Sequence, residues 1–331
     1  MEILVTGGAG YIGSTICSEL IDNNHTPIIL DSLVAGKEEF TKDRTFYKGD
    51  IADTELVKKI FNEHPDIYAT IHLAGFIYVP ESVENPYEYY YNNVAKSICF
   101  FKSLCDAGCN KIVFSSTASI YGKADGAMVT EDMCILPTSP YAKTKLMIEN
   151  ILEDYCNAYD IHGIALRYFN PIGADPKMRT GAYVKNPSHI LGALINVSND
   201  PAGVFKITGV DWPTRDGSGV KDYIHVWDLA VAHLKAVEQF ENVFEMTDGE
   251  GKFVVINLGT GKGVTAKEMV SAFEKVIGRE INKETAPARL GDVAGAYANA
   301  DTAFKYLGWK AEKTIEEGIA DAITWNKIFF D

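Results

Sequence analysis

What this chain lacks restricts its role before any motif does. No apolar run approaches the roughly 20 residues that cross a bilayer as a helix, so no membrane span is expected. Basic residues are outnumbered, 31 Lys plus Arg against 45 Asp plus Glu, which leaves a net charge of −14. That field disfavours nucleic acid and anionic membrane surfaces, and neither is expected as a partner. The six cysteines (Cys17, Cys99, Cys105, Cys109, Cys134 and Cys156) include no CxxC pair and no Cys/His cluster. Cys105 and Cys109 are one helical turn apart, yet buried thiols in a reducing cytoplasm fit this pattern better than a metal site. A leader peptide is not expected, because an apolar strand begins at the first residue. Internal repeats and low-complexity linkers are absent as well. With 47% hydrophobic residues among 331, the chain can bury a large core, in about two domains.

What is present is concentrated at the start. Residues 1–6 (MEILVT) form an apolar run, followed by Gly7-Gly8-Ala9-Gly10-Tyr11-Ile12-Gly13 and a helical pattern (Ile16, Leu20, Ile21). A second run, Pro27-Ile28-Ile29-Leu30, ends in Asp31. Strand, glycine turn, helix, strand and acid at this spacing predict a dinucleotide site. Gly7 permits the sharp turn, Gly10 lets a pyrophosphate approach bare backbone, and Gly13 lets the helix pack close to the sheet. The helix N-terminus offers free N–H groups and partial positive charge to the phosphates. Asp31 is placed to accept hydrogen bonds from an adenosine ribose and to repel a 2′-phosphate, so NAD is expected rather than NADP.

Further strands are predicted over 44–48, 68–72, 111–115 and 163–168, alternating with helices over 54–62, 86–107 and 139–159. Repeated βα units predict an α/β fold, a doubly wound parallel sheet of the Rossmann kind, with ligands at the carboxyl ends of its strands. The rhythm breaks at Asn170-Pro171, after which glycines, prolines and short elements dominate up to about residue 223. A strand over 253–258 and helices over 265–277 and 314–328 follow. We expect 1–168 to bind the cofactor, rejoined by roughly 224–260, and 169–331 to be mainly a smaller substrate-binding domain.

Ser139-Pro140-Tyr141-Ala142-Lys143-Thr144-Lys145 opens a helix, with Ser139 as N-cap and Pro140 at its first position. Tyr141 and Lys145 are four apart and project from one face. A lysine ammonium and a positive nicotinamide beside the phenol favour its ionised form, giving a base usable near neutral pH. Among 17 tyrosines such a spacing also arises by chance, and Tyr306 with Lys310 is a second case. What sets Tyr141 apart is its helix, which follows the fifth strand, whose end Ser115-Ser116-Thr117 can bring hydroxyls to the same cleft.

The stretches GGAGYIG, SSTASIYG, SPYAKTK, RYFNPIGA, DGSGVKDYIHV and GDVAGAYAN, with a late LGW, together resemble the extended short-chain dehydrogenases that act on nucleotide sugars, over essentially the whole chain. The resemblance implies an NAD-dependent isomerase that reversibly epimerises C4 of UDP-hexoses, working as a homodimer. It makes Tyr141 the base, Lys145 its partner, and Thr117 the hydroxyl that bridges base and sugar. It puts NAD on Gly7, Gly10, Tyr11, Ile12, Gly13, Asp31, Ser32, Leu33, Val34, Ala35, Gly36, Asp50, Ile51, Leu73, Ala74, Gly75, Phe76, Ile77, Asn92, Ser115, Tyr141, Lys145, Tyr168 and Phe169. It puts the UDP-sugar on Thr117, Tyr141, Asn170, His189, Ile190, Lys206, Ile207, Thr208, Lys221, Arg289, Asp292 and Ala296.

Two positions depart from the family pattern. Ile77 stands where many members carry a Lys near the nicotinamide ribose. Lys221 stands where an Arg usually grips the diphosphate, so the charge is kept but the bidentate fork is not. Within the family one position of GDVAGAYAN faces the sugar 2-substituent; it falls on Ala296, with Tyr297 as the alternative one residue on. A small residue there implies room for UDP-GlcNAc and UDP-GalNAc as well. A related dehydratase or decarboxylase is the nearest other reading, but Thr117-Ala118-Ser119 offers no acid to protonate a leaving hydroxyl. A non-catalytic NAD-sensing regulator on the same fold has no reason to keep Tyr141, Lys145 and Thr117 together. Other residues read as structural: most of Tyr87, Tyr89, Tyr90 and Tyr91 as packing or surface, His72 as core, His225 as packing between domains.

Overall fold

The computed structural model describes residues 1–122, 124–185, 187, 189–247, 251–288 and 293–330. Seven strands form one parallel sheet: β1 (Glu2–Thr6), β2 (Thr26–Asp31), β3 (Thr45–Lys48), β4 (Ile67–His72), β5 (Lys111–Ser115), β6 (His162–Tyr168) and β7 (Phe253–Leu258). Their order is β3-β2-β1-β4-β5-β6-β7. The doubly wound α/β fold expected from the βα rhythm is present. Side chains alternate across a strand, and the apolar ones serve both faces. Ile3, Val5, Ile71, Val113, Ile164 and Ile256 join one buried cluster with the helices Tyr11–Asp22 and Val226–Glu238. Leu4, Ile28, Leu30, Ile112, Phe114 and Ala165 join the other with the helices Lys96–Asp106 and Pro140–Ala158. Burial of each such side chain contributes about 1.5–3 kcal/mol. The strand order reverses between β1 and β4, where a crevice opens at the carboxyl ends.

One expected element differs. The helix predicted over 86–107 is three pieces: Pro86–Tyr89, a π-helical turn Tyr90–Ala95, and Lys96–Asp106. The extra residue that a π turn inserts coincides with Asn93, which is fully buried against residues 73–77.

Beyond β6 the elements are short. Asn170–Ile172 pairs in parallel with Tyr223–His225. Val220–Lys221 lies between Val264–Thr265 and Gly295–Ala298, and Met128–Val129 completes that small sheet. Phe205–Thr208 pairs with Lys283–Ala286. A third apolar cluster, including Leu191, Leu194, Phe205, Tyr223, Phe273 and Ile319, supports these pieces. The C-terminal helix Ile315–Phe330 is tied back by His225, whose ring caps Val226–Glu238 through Nδ1 and meets Asp321 through Nε2 at 3.2 Å.

Candidate active site

The glycine turn is shaped as its spacing predicts. Gly7 has φ +72°, and a Cβ there would lie 2.9 Å from the Ala74 nitrogen. A Cβ at Gly13 would lie 2.3 Å from the Gly7 carbonyl, so only glycine lets the helix Tyr11–Asp22 start this close to the turn. Asp31 ends β2 buried; its carboxylate accepts from the backbone N–H of Ala9 (3.0 Å) and of Leu33 (2.8 Å). Those two bonds orient both oxygens at the crevice and leave a lone pair on each for a ribose diol. Burial raises its pKa, against the pull of the two N–H groups. Ser32, Leu33, Val34, Ala35 and Gly36 form the loop beyond it, with Leu33 left-handed at φ +60°. Asp50 holds the Ala52 N–H and pairs with Lys96 at 2.5 Å, a partner the motif did not predict. Its neighbour Ile51 is buried in the core.

The loop after β4 forms the opposite wall. Asn93 accepts from the Phe76 N–H (2.8 Å) and donates to the Phe76 carbonyl (3.0 Å) and to the Thr144 hydroxyl. Asn92 donates to Asn93. Leu73 and Ala74 pack inward, whereas Ile77 is exposed. A Cβ on Gly75 would come within 3.8 Å of the Lys145 ammonium, which brings this loop to the helix that carries Tyr141.

That helix, Pro140–Ala158, is capped by Ser139, whose hydroxyl accepts from the Ala142 N–H. Tyr141, Lys145 and Glu149 follow at intervals of four on its buried face, each less than a tenth exposed. The Lys145 ammonium donates to the Ser115 carbonyl at 3.0 Å. Burial pulls its pKa down to about 8, with the Glu149 charge opposing. The Tyr141 phenol meets the Thr117 hydroxyl. The ease of ionisation expected of this phenol is absent from the protein itself. Burial pushes its pKa up to about 12, and the hydrogen bond with Thr117 opposes. Desolvation of the phenolate is the larger of the two effects.

Of the three hydroxyls ending β5, only Thr117 faces the cleft chemistry. Ser115 donates to the Nε2 of buried His233, so its carbonyl, not its hydroxyl, faces Lys145. Ser116 donates to Glu149. Glu149 in turn takes a two-pronged grip from Arg167, at 2.7 Å and 3.0 Å, and Arg167 donates to Tyr121. This buried pair braces the floor under Lys145, and its partners are 18 residues apart with no local signature. Phe169 is buried with Ile120, Tyr121, Val129 and Ala298, and Tyr168 stands against His233.

Among the residues expected to meet the sugar, Asn170 donates to the Asp222 carbonyl, and Lys221 lies in register with Ala296 on the neighbouring strand. Ala296 packs against the Ile120–Phe169 cluster, which adjoins Thr117. Asp222, missed in the sequence, is fully buried and accepts from Thr260, Gly261 and Ala298, fixing the strand that carries Ala296. His189 caps the helix Ile190–Asn199, within electrostatic reach of Lys221. Ile190 and Ile207 pack into the third cluster, while Lys206 pairs with Glu284 at the surface and Thr208 ends the same strand. Arg289 and Asp292 lie outside the described residues. Among those described, no cluster of His, Cys, Asp or Glu is arranged to hold a metal. His72 and His225 are structural, as expected, and so are the tyrosines: Tyr89 is buried, and Tyr87 and Tyr91 stack on each other at the surface.

The same pattern recurs in known proteins. The family described as NAD dependent epimerase/dehydratase matches residues 3–259. The UDP-glucose 4-epimerase of Bacillus subtilis (strain 168) is 42% identical over 98% of this chain and 96% of its own. A Stenotrophomonas maltophila UDP-glucose-4-epimerase, solved with bound NAD and formylated UDP-arabinopyranose, superposes with a TM-score of 0.93 at 35% identity, covering 100% of this chain and 99% of its own. The UDP-Glc/GlcNAc 4-epimerase of Campylobacter jejuni does so with a TM-score of 0.83 at 31% identity and 99% coverage of both. With more than half its length matched by the family and near-complete overlap with these relatives, the chain belongs to the NAD dependent epimerase/dehydratase family.

Proposed function

We propose that this protein is an NAD-dependent isomerase that interconverts UDP-glucose and UDP-galactose by reversible epimerisation at C4. The observation that carries this reading is the convergence of Tyr141, Thr117 and Lys145 at the end of β5, across from the glycine turn and Asp31. The groove suits a dinucleotide: a glycine turn that a Cβ would fill, a helix N-terminus, and a buried acid aimed at a ribose. Bound NAD supplies a reversible hydride acceptor and a positive ring. Tyr141 takes the proton of the sugar 4-hydroxyl and later returns it, with Thr117 bridging the two oxygens. Lys145 keeps a positive charge beside the phenol and a donor toward the nicotinamide ribose. Epimerisation requires C4 to present both faces to one cofactor, so the UDP must stay anchored while the hexose turns. Lys221, Asn170 and His189 are the anchors supported by position, with Arg289 and Asp292 proposed from the family pattern.

Ala296 beside Lys221 supports a wider pocket that also takes UDP-GlcNAc and UDP-GalNAc. We read 1–168, rejoined by 224–260, as the cofactor half and 169–331 as mainly the sugar half. A homodimer is supported by apolar side chains left exposed on the helices Pro86–Tyr89 and Lys96–Asp106 and just past the end of Pro140–Ala158: Tyr87 at 71%, Ile98 at 40% and Tyr159 at 44%. Six free thiols fit a cytoplasmic setting. Incubating the purified protein with UDP-galactose and resolving the products by chromatography tests the central claim: UDP-glucose should accumulate to equilibrium without added reductant. Absence of interconversion with NAD present overturns it.

A further inference from the structure

The segment after Asn170–Ile172 crosses back over the glycine-turn helix. The Tyr11 hydroxyl donates to the Gly173 carbonyl at 2.6 Å, Thr15 meets Thr180 at 3.2 Å, and Arg179 grips Asp22 with two bonds of 2.9 Å. The segment folds on itself, with the Asp175 N–H donating to the Thr180 carbonyl and Ala174 bridged to Gly181. The C-terminal helix holds its end: the Trp325 indole donates to the Ala182 carbonyl at 2.8 Å, and a Cβ on Gly181 would strike that ring.

These ties deliver Tyr183 to the cofactor groove. Its phenol oxygen lies 3.9 Å from where a Cβ of Gly10 would be. The Phe40 ring meets it edge-on at 5.6 Å, and the Lys37 ammonium lies 5.7 Å from its ring centre. Phe40 is itself packed against Trp325 and Phe329. Burial, then the nearby Asp31 carboxylate and Tyr78, push the Tyr183 pKa up to about 12, so it remains a hydrogen-bond donor. Gly10 is where a dinucleotide pyrophosphate approaches the backbone. A neutral side-chain donor at that position would add a charge-assisted hydrogen bond to the backbone N–H groups that the glycine turn and helix N-terminus offer an anion.

We propose that Tyr183 is a cofactor-binding residue, donating its hydroxyl to the dinucleotide pyrophosphate and roofing the groove between Gly10 and Asp31. This rests on the reading of NAD as the bound cofactor. It follows that the sugar half of the chain helps to hold the cofactor, and that NAD leaves only when the 173–183 segment lifts. Holoprotein is passed repeatedly through gel filtration, and the nucleotide retained is released by denaturation and quantified; the rate of release is followed in parallel. Tyr183→Phe, which keeps the ring, should release NAD about tenfold faster or more, the range expected on losing one bond to a charged phosphate. Trp325→Leu, outside the groove, should also hasten release by loosening the strap. Thermal unfolding of nucleotide-stripped protein should be unchanged in Tyr183→Phe, which separates loss of a ligand bond from loss of fold. Release from Tyr183→Phe at the wild-type rate overturns the proposal. If wild-type protein neither retains nor binds NAD, the cofactor reading fails with it; if only the variant is unaffected, that reading stands and Tyr183 alone is excluded.

Discussion

At the scale of single residues, the site depends on which charges burial permits. Tyr141→Phe keeps the ring in its pocket and removes the proposed proton carrier, so turnover should fall at least about 10²-fold while UDP-sugar and NAD binding persist. Near-normal turnover in the purified variant excludes Tyr141 as the base. Glu149 acts one turn further along the same face. Its carboxylate favours the Lys145 ammonium against a burial that already draws the pKa to about 8. Removing that negative charge lowers the lysine pKa further, so Glu149→Gln should move the alkaline limb of the rate profile toward neutrality. Because Arg167 would be left as a buried unpaired charge, about 3–5 kcal/mol of stability is also at risk. The double variant Glu149→Gln with Arg167→Met removes that complication, and an unmoved alkaline limb in it excludes the electrostatic role. Ala296→Tyr should abolish turnover of N-acetyl sugars selectively, since filling an occupied pocket costs about 1–3 kcal/mol. Equal slowing of both sugar pairs argues against Ala296 as the gate.

At the scale of elements, the π turn Tyr90–Ala95 matters more than its length suggests. A regular helix would carry Asn93 out of step with residues 73–77, and the Phe76 N–H and carbonyl would lose both partners. Asn93→Ala should therefore loosen one wall of the cofactor groove. The expected result is a stability loss of about 1–3 kcal/mol for the unsatisfied groups, together with weaker NAD binding. Calorimetric melting with and without NAD measures both. A variant that melts like wild type and binds NAD equally well would show that the wall is held elsewhere.

At the scale of the whole molecule, two imidazoles are locked neutral inside the sheet layers. Ser97 donates to the Asn93 carbonyl, so His72 must donate to Ser97 through Nε2 and accept from Thr6 through Nδ1. His233 donates to the Leu229 carbonyl and accepts from Ser115. Burial draws their pKa values down to about 3 and about 4, against 6.5 for a free side chain. Both are depressed, so below pH 6.5 the unfolded chain binds protons that the folded protein refuses, and stability falls as pH drops toward 4. Each unit of difference amounts to about 1.4 kcal/mol, so the pair contributes to acid unfolding. Urea midpoints measured between pH 7 and pH 4.5 should fall less steeply in His233→Gln than in wild type, whatever the variant's stability at pH 7. Identical slopes would place the acid sensitivity in the carboxylates instead.

The sequence by itself determined the features whose cause is local. The glycine turn, the β1–helix–β2 unit ending at Asp31, and the shared face of Tyr141 and Lys145 arise from contacts within about thirty residues, so period and spacing disclose them. The short continuous apolar runs determined the strands for the same reason. Tertiary structure alone decided the rest. Glu149 meets Arg167, and Asn93 meets Phe76, with no periodic spacing to announce either pair. Asp222 meets Ala298, and Tyr183 arrives over Gly10, only after distant segments pack together. The phenol of Tyr141 makes the difference plain. Its position beside Lys145 is written in the helix repeat, but its reluctance to ionise comes from enclosure by residues across the fold, because desolvation is a property of everything that surrounds a group and not of its neighbours in sequence.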